Sequence, residues 1–588
     1  MPVYPTLGLS STHPLVVLVH ASSRLDDTLD WSEGRTLASD GQRFAMPREV
    51  LQQSCSTQFS DSALKSYSFI VSTARRWGLE TICIATPPGG LRPRQPVRPD
   101  CRDTLQHMKS LWILLACLLP ATAAAKPPNI VFVMADDLGY GHLGSYGQTK
   151  IKTPNIDRLA AEGMRFTQAY AGSTVCAPSR SVLLTGLHGG HTPVRGNLGD
   201  AHLQDSDVTL AETLKSAGYA TGAYGKWGLG LSDSPGHPLR QGFDDFLGYL
   251  HQVHAHFFYP FWLTLNHGRM NLPLNENGGR GQYSHDVLFE RALEFVRKHR
   301  DGPFFCYLPV TIPHVELAVP ADSLAEYLGQ FPEVGGGQER RIGYIVSPNP
   351  RATYAAMVSR LDRDVGRMLD LLESLGIDDE TVVIFNSDNG AQSRFDVSEN
   401  FFGASGGLRG YKGSMYEGGL RVPQIVRWPG RAKAGTVSNH VTYFPDMMPT
   451  FAELAGVDPP PTDGISIVPT LTGDATQREH DWLYWEVVSG GNELRAQAAR
   501  NGQWKFVRSP VDGPVELYDL DADETETTDL ASSRPDLVKT FERWVRENRT
   551  EPPDQPARSA VTYRDYVQLA PGEPADRAEL GMRNGPRE

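Results

Sequence analysis

The feature that most constrains the fold is an alternation, from residue 128 onward, of short apolar runs with longer segments of helical periodicity. Two of the runs, NIVFVMADD and TVVIFNSDNG, are apolar enough to be strands buried on both faces, and each ends in polar residues. Between them, the segment from about Tyr354 to Leu375 carries apolar residues at helical spacing. This alternation predicts an α/β fold, in which a large, mostly parallel sheet has helices on both faces.

Other segments extend the pattern. SHDVLFERALEFVRKHRDG and VTLAETLKSAGY predict helices, and PFFCYLPV predicts a buried strand. After about residue 475 the runs become shorter, as in DWLYWEVV, QWKFVRS and ELYDL, and a helix is predicted from about Pro535 to Glu547. These features predict a smaller C-terminal antiparallel sheet with one packed helix.

Polar residues follow both buried strands, where a parallel sheet binds its ligands. Asp136 and Asp137 end the first strand, and Asp388 and Asn389 end the second. Three carboxylates and an amide oxygen are hard ligands that suit Ca²⁺ or Mg²⁺. One such pair would be explained by a turn or a helix cap, whereas two pairs after two strands favour a metal site.

The stretch TVCAPSRSVLLTG, residues 174–186, places a cysteine at the start of a predicted short helix. Pro178 suits a first helical turn, so Cys176 would lie at a helix N-terminus, where backbone N–H groups favour anions. Lys226 in GKWGLG and Lys412 in LRGYKGSMYEGGLRVP are flanked by glycines, which let the backbone approach a ligand closely. Taken alone, each lysine would be interpreted as a solvated surface charge.

A secretory signal peptide is predicted inside the chain. Lys109 is the positive region that follows Met108, Leu111–Leu119 is the apolar core, and a small-residue cleavage region ends near Ala125. Residues 1–107 have no sustained period and contain Pro/Arg-rich patches, so we interpret them as upstream sequence before a start at Met108. The alternative is an unusual pre-region with a buried apolar helix. The signal predicts a secreted or periplasmic protein.

Domain boundaries follow from these segments. We predict a signal peptide at 108–125, a catalytic domain at 126–474, a small α+β subdomain at 475–549 and a flexible tail at 550–588. The formal net charge of −13 argues against a nucleic-acid partner but allows an anionic substrate at a locally basic site. No stretch reaches the roughly 18 apolar residues of a membrane-spanning helix, so no integral membrane span is expected.

The signal peptide also changes the cysteine count. Four cysteines lie in or before it, namely Cys55, Cys83, Cys101 and Cys117. The remaining two, Cys176 and Cys306, could form one disulfide in an oxidising compartment. Cys306, however, lies in the predicted strand PFFCYLPV, where cysteine often serves as a small hydrophobic side chain.

The motif CAPSR with SVLLTG resembles the signature of the formylglycine-dependent sulfatases, C-x-P-S-R followed by x-x-L-L-T-G. The resemblance covers roughly residues 128–531 and includes NIVFVMADDLGYG, GKWGLG, FNSDNG and LRGYKGSMYEGGLRVP. It implies the alkaline-phosphatase-like fold of the bacterial glycan and aryl sulfatases. It also implies that a formylglycine-generating enzyme oxidises Cys176, and that one hydroxyl of the hydrated aldehyde attacks sulfur while the second expels sulfate.

The resemblance also implies the remaining site residues. One Ca²⁺ would be held by Asp136, Asp137, residue 176, Asp388 and Asn389. Arg180 matches the arginine that holds the formylglycine hydroxyl, and Lys226 and Lys412 match lysines that neutralise sulfate oxygens. His314 in TIPHVEL matches the histidine that donates a proton to the leaving oxygen.

One position departs from the family pattern. Gly228 stands in GKWGLG where many sulfatases have the histidine that is the base of the second step. The segment GYLHQVHAHFFYP offers His251, His254 and His256 near the place of another substrate-facing histidine, and His254 is preferred.

The sequence therefore predicts a sulfatase that hydrolyses carbohydrate sulfates, such as N-acetylgalactosamine-6-sulfate-like esters, or aryl sulfates. One alternative is a formylglycine-type hydrolase of phosphodiesters or phosphonate esters, and another is a non-catalytic binder of sulfated ligands. The CAPSR motif argues against a two-zinc phosphatase with a Ser or Thr nucleophile. The presence of Lys226, Lys412 and His314 argues against the binder.

Overall fold

A computed structural model of the chain describes residues 126–198, 200–334, 347–394, 399–490 and 492–555, together with the backbone of three earlier strands. Those strands, Leu15–Leu18, Ser68–Ala74 and Leu79–Thr86, form an antiparallel sheet in a first unit, residues 1–121. The second unit, residues 122–588, contains all the elements labelled below. The predicted signal peptide at 108–125, most of the predicted upstream segment and residues 556–588 of the predicted tail lie outside the described residues.

Strands of the second unit form one large sheet and two smaller ones. In chain order they are β1 (Asn129–Ala135), β2 (Met164–Phe166), β3 (Ala169–Tyr170), β4 (Ala220–Lys226), β5 (Asp245–Tyr249), β6 (Trp262–Leu265), β7 (Gly268–Asn271), β8 (Phe304–Pro309), β9 (Thr381–Ser387), β10 (Gln424–Arg427), β11 (Thr436–Ser438), β12 (Thr442–Tyr443), β13 (Leu483–Ser489), β14 (Glu493–Asn501), β15 (Trp504–Arg508) and β16 (Glu516–Asp519). The ten-stranded sheet has the order β7-β6-β5-β4-β8-β1-β9-β10-β2-β11. Its five central strands, from β5 to β9, are parallel.

Helices connect these strands. The α-helices are α1 (Pro154–Glu162), α2 (Cys176–Thr185), α3 (Leu210–Ser216), α4 (Ser284–His299), α5 (Ala321–Ala325), α6 (Pro350–Leu375), α7 (Glu399–Phe402), α8 (Glu417–Leu420), α9 (Met447–Ala455), α10 (Val468–Thr472) and α11 (Pro535–Asn548). Short 3₁₀ helices cover Tyr140–His142, Gly144–Tyr146, His254–His256, Pro273–Gly278, Asp378–Glu380 and Phe444–Asp446. The long helix predicted from about Tyr354 begins earlier, because Pro350 suits its first turn, and it ends at the left-handed Gly376.

The central strand β1 shows why the helices occupy both faces of the sheet. Successive side chains of a strand point to opposite faces. Val131 and Val133 pack into a core formed with α4 and α6, whereas Ile130 and Phe132 pack into a second core with α2, α3 and α9. The continuous apolar run is thus explained by burial on both sides, and the predicted α/β architecture is confirmed.

The C-terminal sheet is four-stranded and antiparallel, in the order β13-β14-β15-β16. Helix α11 packs on it through Phe541, whose ring stacks on Phe506 at a centroid distance of 5.0 Å. Strand β14 was not predicted, because its sequence ELRAQAARN is polar and its place in the sheet is set by pairing with β13 and β15. The predicted smaller sheet with one helix is confirmed.

Residues 550–555, which the sequence assigns to the tail, hydrogen-bond with the segment 190–202. The Thr550 amide donates to the Gly190 carbonyl at 3.1 Å, and Arg195 Nη1 donates to the Thr550 carbonyl at 2.7 Å. The His202 amide donates to Gln555 Oε1 at 3.0 Å.

Among the described helices, none is both long enough and apolar enough to cross a membrane.

Candidate active site

The parallel strands β1 and β9 bring their carboxyl ends to one edge of the sheet. The Asp388 amide donates to the Ala135 carbonyl at 3.0 Å, and the Asp137 amide donates to Asp388 Oδ1 at 3.1 Å. Asp137 has a φ of 63°, a left-handed conformation that is uncommon outside glycine and that concentrates at functional sites. Asp136, Asp137, Asp388 and Asn389 are all buried. The sequence prediction that the two pairs meet therefore agrees with the geometry.

Two oxygens of this group lack hydrogen-bond partners in the part of the chain that the structure describes. Asn389 Nδ2 donates to Asp137 Oδ1 at 2.7 Å, yet Asp137 Oδ2 and Asn389 Oδ1 are buried with no partner among the described residues. A buried acceptor without a hydrogen bond is unfavourable, so a water molecule or an ion is expected to satisfy these oxygens. Because the surrounding atoms are carboxylate and amide oxygens, these residues fit a hard divalent cation.

Arg180 connects the two carboxylate pairs. Its Nη2 and Nε donate to Asp388 Oδ2 at 2.6 and 3.2 Å, and its Nη1 donates to the Lys226 carbonyl at 2.7 Å. Nη2 also lies 3.6 Å from Asp136 Oδ2, and the side chain is fully buried. The guanidinium is therefore fixed in one orientation with a charged partner on either side.

Cys176 is the first residue of α2, as the motif predicted. Its Sγ lies 3.6 Å from Asp136 Oδ1 and 3.1 Å from Lys412 Nζ. Burial raises the pKa of the Cys176 thiol to about 11, although Lys226 and Lys412 oppose the shift. An unmodified thiol with this pKa is a poor nucleophile at neutral pH. Both Cys176 and Cys306 are free and buried, so they do not form the disulfide that the cysteine count allowed.

Two lysines neutralise the carboxylates at this edge of the sheet. Lys226 Nζ donates to Asp136 Oδ2 at 2.8 Å, and Lys412 Nζ donates to Asp137 Oδ1 at 2.6 Å. Burial opposes the charged form, but the neighbouring carboxylates outweigh it and raise the pKa of both lysines. The Lys412 side chain keeps 19% of its surface exposed, whereas that of Lys226 is fully buried. Lys412 is thus on the solvent side of the site.

His314 faces the same group. Its Nδ1 is hydrogen-bonded to the Val315 carbonyl, which leaves Nε2 at 3.5 Å from Asp137 Oδ2. Its ring stacks on His256 at a centroid distance of 4.2 Å. Burial, together with Lys412, lowers the pKa of His314 well below its usual value.

Of the three candidate histidines after β5, His256 is the one that stacks on His314. The preferred candidate, His254, packs its ring against Tyr249 and Trp262 at centroid distances of 4.8 and 4.5 Å. His251 Nε2 lies 3.8 Å from Asp200 Oδ1. Within the 3₁₀ helix His254–His256, the two histidines contact different rings, which spacing alone did not reveal.

The loop that carries Lys412 is held by the C-terminal sheet. Arg409 Nη1 donates to the Tyr518 hydroxyl at 2.9 Å on one side of the lysine, and the Tyr416 hydroxyl donates to Glu516 Oε2 at 2.8 Å on the other. Here we name the segment 409–421 the lysine loop. Its position relative to Asp137 thus depends on residues about a hundred positions further along the chain.

A buried ionic group secures the same loop. Lys505 Nζ donates to Glu417 Oε1 at 2.7 Å and lies 3.4 Å from Glu526 Oε1. Glu417 also accepts from Arg421 Nε at 2.8 Å, and the Glu417 amide donates to Glu526 Oε2 at 2.7 Å. Motif reasoning missed this group, because its members come from the lysine loop and from separate parts of the C-terminal subdomain.

Two further residues support helix α2. Asn197 Oδ1 accepts from the Ala177 amide at 2.8 Å, one of the donors at the start of α2. The Ser179 hydroxyl donates to the Asp388 carbonyl and accepts from the Gly172 amide at 3.1 Å. Ser179 was visible within the CAPSR motif, whereas no signal in the sequence singled out Asn197.

A second group, His188, His191 and Asp463, lies apart from this edge. His191 Nδ1 is 2.9 Å from Asp463 Oδ2. The Gly190 amide donates to His188 Nδ1 at 3.0 Å, which leaves the proton of a neutral ring on Nε2. Since a metal ligand needs a free lone pair on that atom, the group is better explained as a hydrogen-bonded histidine–carboxylate pair.

The chain matches a known protein family and several proteins of related sequence. The Sulfatase family profile matches residues 128–457, more than half of the chain, and the profile described as N-sulphoglucosamine sulphohydrolase, C-terminal, matches residues 410–549. Arylsulfatase A of Bos taurus is 34% identical over 431 residues, covering 68% of this chain and 78% of that protein. N-acetylgalactosamine-6-sulfatase of Rattus norvegicus is 33% identical over 400 residues, covering 63% and 71%.

The solved structures include Ps i-CgsB in complex with k-i-k-neocarrahexaose. It matches with a TM-score of 0.61 at 28% identity, over 72% of this chain and 94% of that chain. The family profile, the related sequences and the shared fold all indicate the same family. The chain therefore belongs to the sulfatase family, and the reaction that it catalyses is the hydrolysis of sulfuric esters.

Proposed function

We propose that the protein hydrolyses carbohydrate sulfate esters through a formylglycine formed from Cys176. The observation that carries this proposal is the position of Cys176 Sγ at the start of α2, 3.6 Å from Asp136 Oδ1 and 3.1 Å from Lys412 Nζ. As a hydrated aldehyde, residue 176 would supply one hydroxyl to attack sulfur and a second to expel sulfate.

The cation of the site is Ca²⁺ in this proposal. Asp136, Asp137, Asp388 and Asn389 would hold it, and the orphaned Asp137 Oδ2 and Asn389 Oδ1 support a cation at this edge. It would polarise the sulfate group and the nucleophile.

The chain's own cations balance the charge of the sulfate. Lys226 and Lys412 approach residue 176 from the buried and solvent sides, so that sulfate oxygens meet positive charge in a water-poor pocket. Arg180 orients the nucleophile from its fixed position beside Asp388. His314 transfers the proton to the leaving oxygen through Nε2, the nitrogen that faces the site.

The substrate class is a sulfated sugar, free or within a glycan. Two similar proteins support this assignment: N-acetylgalactosamine-6-sulfatase of Rattus norvegicus, and Ps i-CgsB, whose solved structure contains k-i-k-neocarrahexaose. Beside Lys412, Tyr411 is an exposed large aromatic side chain, with 42% of its surface accessible. Such a ring suits stacking against the apolar face of a sugar.

The proposed function also requires maturation of the chain. The signal peptide ending near Ala125 directs the protein out of the cytoplasm, and a formylglycine-generating enzyme modifies Cys176. N-terminal sequencing of the exported protein is expected to begin near Lys126. A mature chain that still carried Met108 would contradict the signal peptide.

The deciding experiment compares Cys176→Ala with Cys306→Ala, a matched variant of the buried cysteine in β8. With the generating enzyme co-expressed, peptide mass spectrometry is expected to find an aldehyde at position 176. Cys176→Ala is expected to lower kcat/KM for sulfate esters at least about a thousandfold, while Cys306→Ala retains activity. An unmodified thiol, or full activity of Cys176→Ala, would contradict the mechanism, and a preference for phosphonate esters would contradict the substrate class.

A further inference from the structure

The amide of Gln252 is buried and lies beside Gly228, two residues after Lys226. Gln252 follows β5 and has only 7% of its surface exposed. Its Oε1 and its Nε2 both lack a hydrogen-bond partner among the described residues. Leaving both ends of a buried amide unsatisfied is unfavourable, so the amide is built to meet a group that the protein itself does not supply.

The side chain of Gln252 packs against the segment that carries Lys226. It fills the space beside Gly228, which follows β4 and its terminal residue Lys226. A Cβ added at Gly228 would lie 2.0 Å from Gln252 Nε2, and Gly228 has a φ of 75°. The Gly228 amide also donates to the Leu250 carbonyl at 3.1 Å, so the two segments run side by side.

Both segments continue directly into the site. Lys226 Nζ contacts Asp136, and His256, in the same loop as Gln252, stacks on His314. Gln252 thus packs beside Gly228, two residues after Lys226, and precedes His256 by four residues in the same loop. A substrate bound at the Lys226 end of the site would have its alcohol portion within reach of the loop.

The geometry points to Gln252 as a specificity-determining residue that recognises the sugar portion of the substrate. An amide offers one acceptor and two donors. Sulfate oxygens only accept, so sulfate alone would leave Oε1 unsatisfied. A sugar hydroxyl or an acetamido group both donates and accepts, and therefore satisfies both ends of the amide. The preferred substrate is a sulfate ester whose alcohol carries such a group, rather than an aryl sulfate.

This inference rests on the proposed function and is tested by the variant Gln252→Met, which keeps the side-chain volume and removes both polar atoms. We expect the ratio of kcat/KM for N-acetylgalactosamine 6-sulfate to that for p-nitrophenyl sulfate to fall about tenfold to a hundredfold. A ratio equal to that of the wild type would overturn the inference.

Stability supplies a second readout. Gln424 is the matched control, because its buried amide is satisfied by Asn386 Nδ2 at 2.8 Å and by Thr442 Oγ1 at 3.2 Å. Gln424→Met is expected to lower the melting temperature, whereas Gln252→Met is expected to leave it unchanged or raise it. An equal loss in both variants would show that the Gln252 amide serves the fold and would overturn its assignment to the substrate. Wild-type protein, carrying the aldehyde, that hydrolyses neither ester would instead count against the proposed function.

Discussion

Removal of Lys505 is expected to destabilise the protein strongly, because this cation is fully buried between two carboxylates. Its Nζ lies 2.7 Å from Glu417 and 3.4 Å from Glu526. Deleting one partner of a buried ion pair typically costs about 3–5 kcal/mol, since a charge is left in a low dielectric. We expect Lys505→Met to lie at the lower end, about 3 kcal/mol, because Glu417 keeps its contact with Arg421.

The pH dependence gives the same prediction a second test. Burial raises the pKa of Glu526 to about 7 in the folded protein. The protein therefore loses stability as the pH rises from the pKa of Glu526 in the unfolded chain to its folded pKa of about 7. Without the ammonium group of Lys505 the pKa of Glu526 rises further, and the stability difference between variant and wild type should grow from pH 6 to pH 8. Urea unfolding followed by tryptophan fluorescence suits the measurement, since the Trp485 ring centroid lies 5.7 Å from Lys505 Nζ.

A lysine on the surface of the same subdomain provides the control. Lys539 is exposed on α11, and Lys539→Met should change the free energy of unfolding by less than about 0.5 kcal/mol. The reasoning would be refuted if the two variants unfolded at the same urea concentration with the same slope. It would also be refuted if the loss in Lys505→Met were independent of pH.

Three further predictions concern other contacts. The Asp362 carboxylate accepts hydrogen bonds from the Asn155 and Ile156 amides at 2.9 and 2.7 Å. Asp362→Ala should therefore lower the free energy of unfolding in urea by about 2 kcal/mol. An unchanged urea midpoint would disprove the stabilising role of these hydrogen bonds. Dialysis against EGTA should lower both the melting temperature and the sulfatase activity, and Ca²⁺ should restore them where K⁺ does not; a melting temperature indifferent to the chelator would argue against the cation. The Asp446 carboxylate, 2.7 Å away, outweighs burial and raises the pKa of His480 above 6.5, so this pair stabilises the protein fully below that pH and less as pH rises through the folded pKa. The stability advantage of wild type over His480→Gln should therefore shrink from pH 6 to pH 8, and a constant difference would contradict the assignment.

The parts of the fold that the sequence predicts best are those in which one local property decides the outcome. NIVFVMADD and TVVIFNSDNG are apolar throughout because β1 and β9 are covered on both faces, and parallel strands necessarily end at the same edge. The meeting of Asp136 with Asp388 therefore follows from pattern and topology alone. Cys176 at the start of α2 followed in the same way from Pro178 and the apolar run after it.

Other features depend on contacts between distant segments, which no local pattern records. The polar strand β14 is held by its neighbours, and the choice among the histidines after β5 depends on a single 3₁₀ turn. The unsatisfied amide of Gln252 becomes visible only beside Gly228, where the missing Cβ leaves room for it. Such features combine residues whose individual sequence contexts are ordinary.

The attachment of the lysine loop to the C-terminal sheet determines how chimeric enzymes should be made from this protein. An exchange at the predicted boundary of 474/475 would keep Glu417 and replace Lys505, so that a native buried charge would face an unrelated surface. The second family profile begins at residue 410, close to the first residue of the lysine loop, rather than at that boundary. The transferable module is therefore the lysine loop together with the C-terminal sheet. An exchange that moves both keeps Lys412 with the residues that hold it in position.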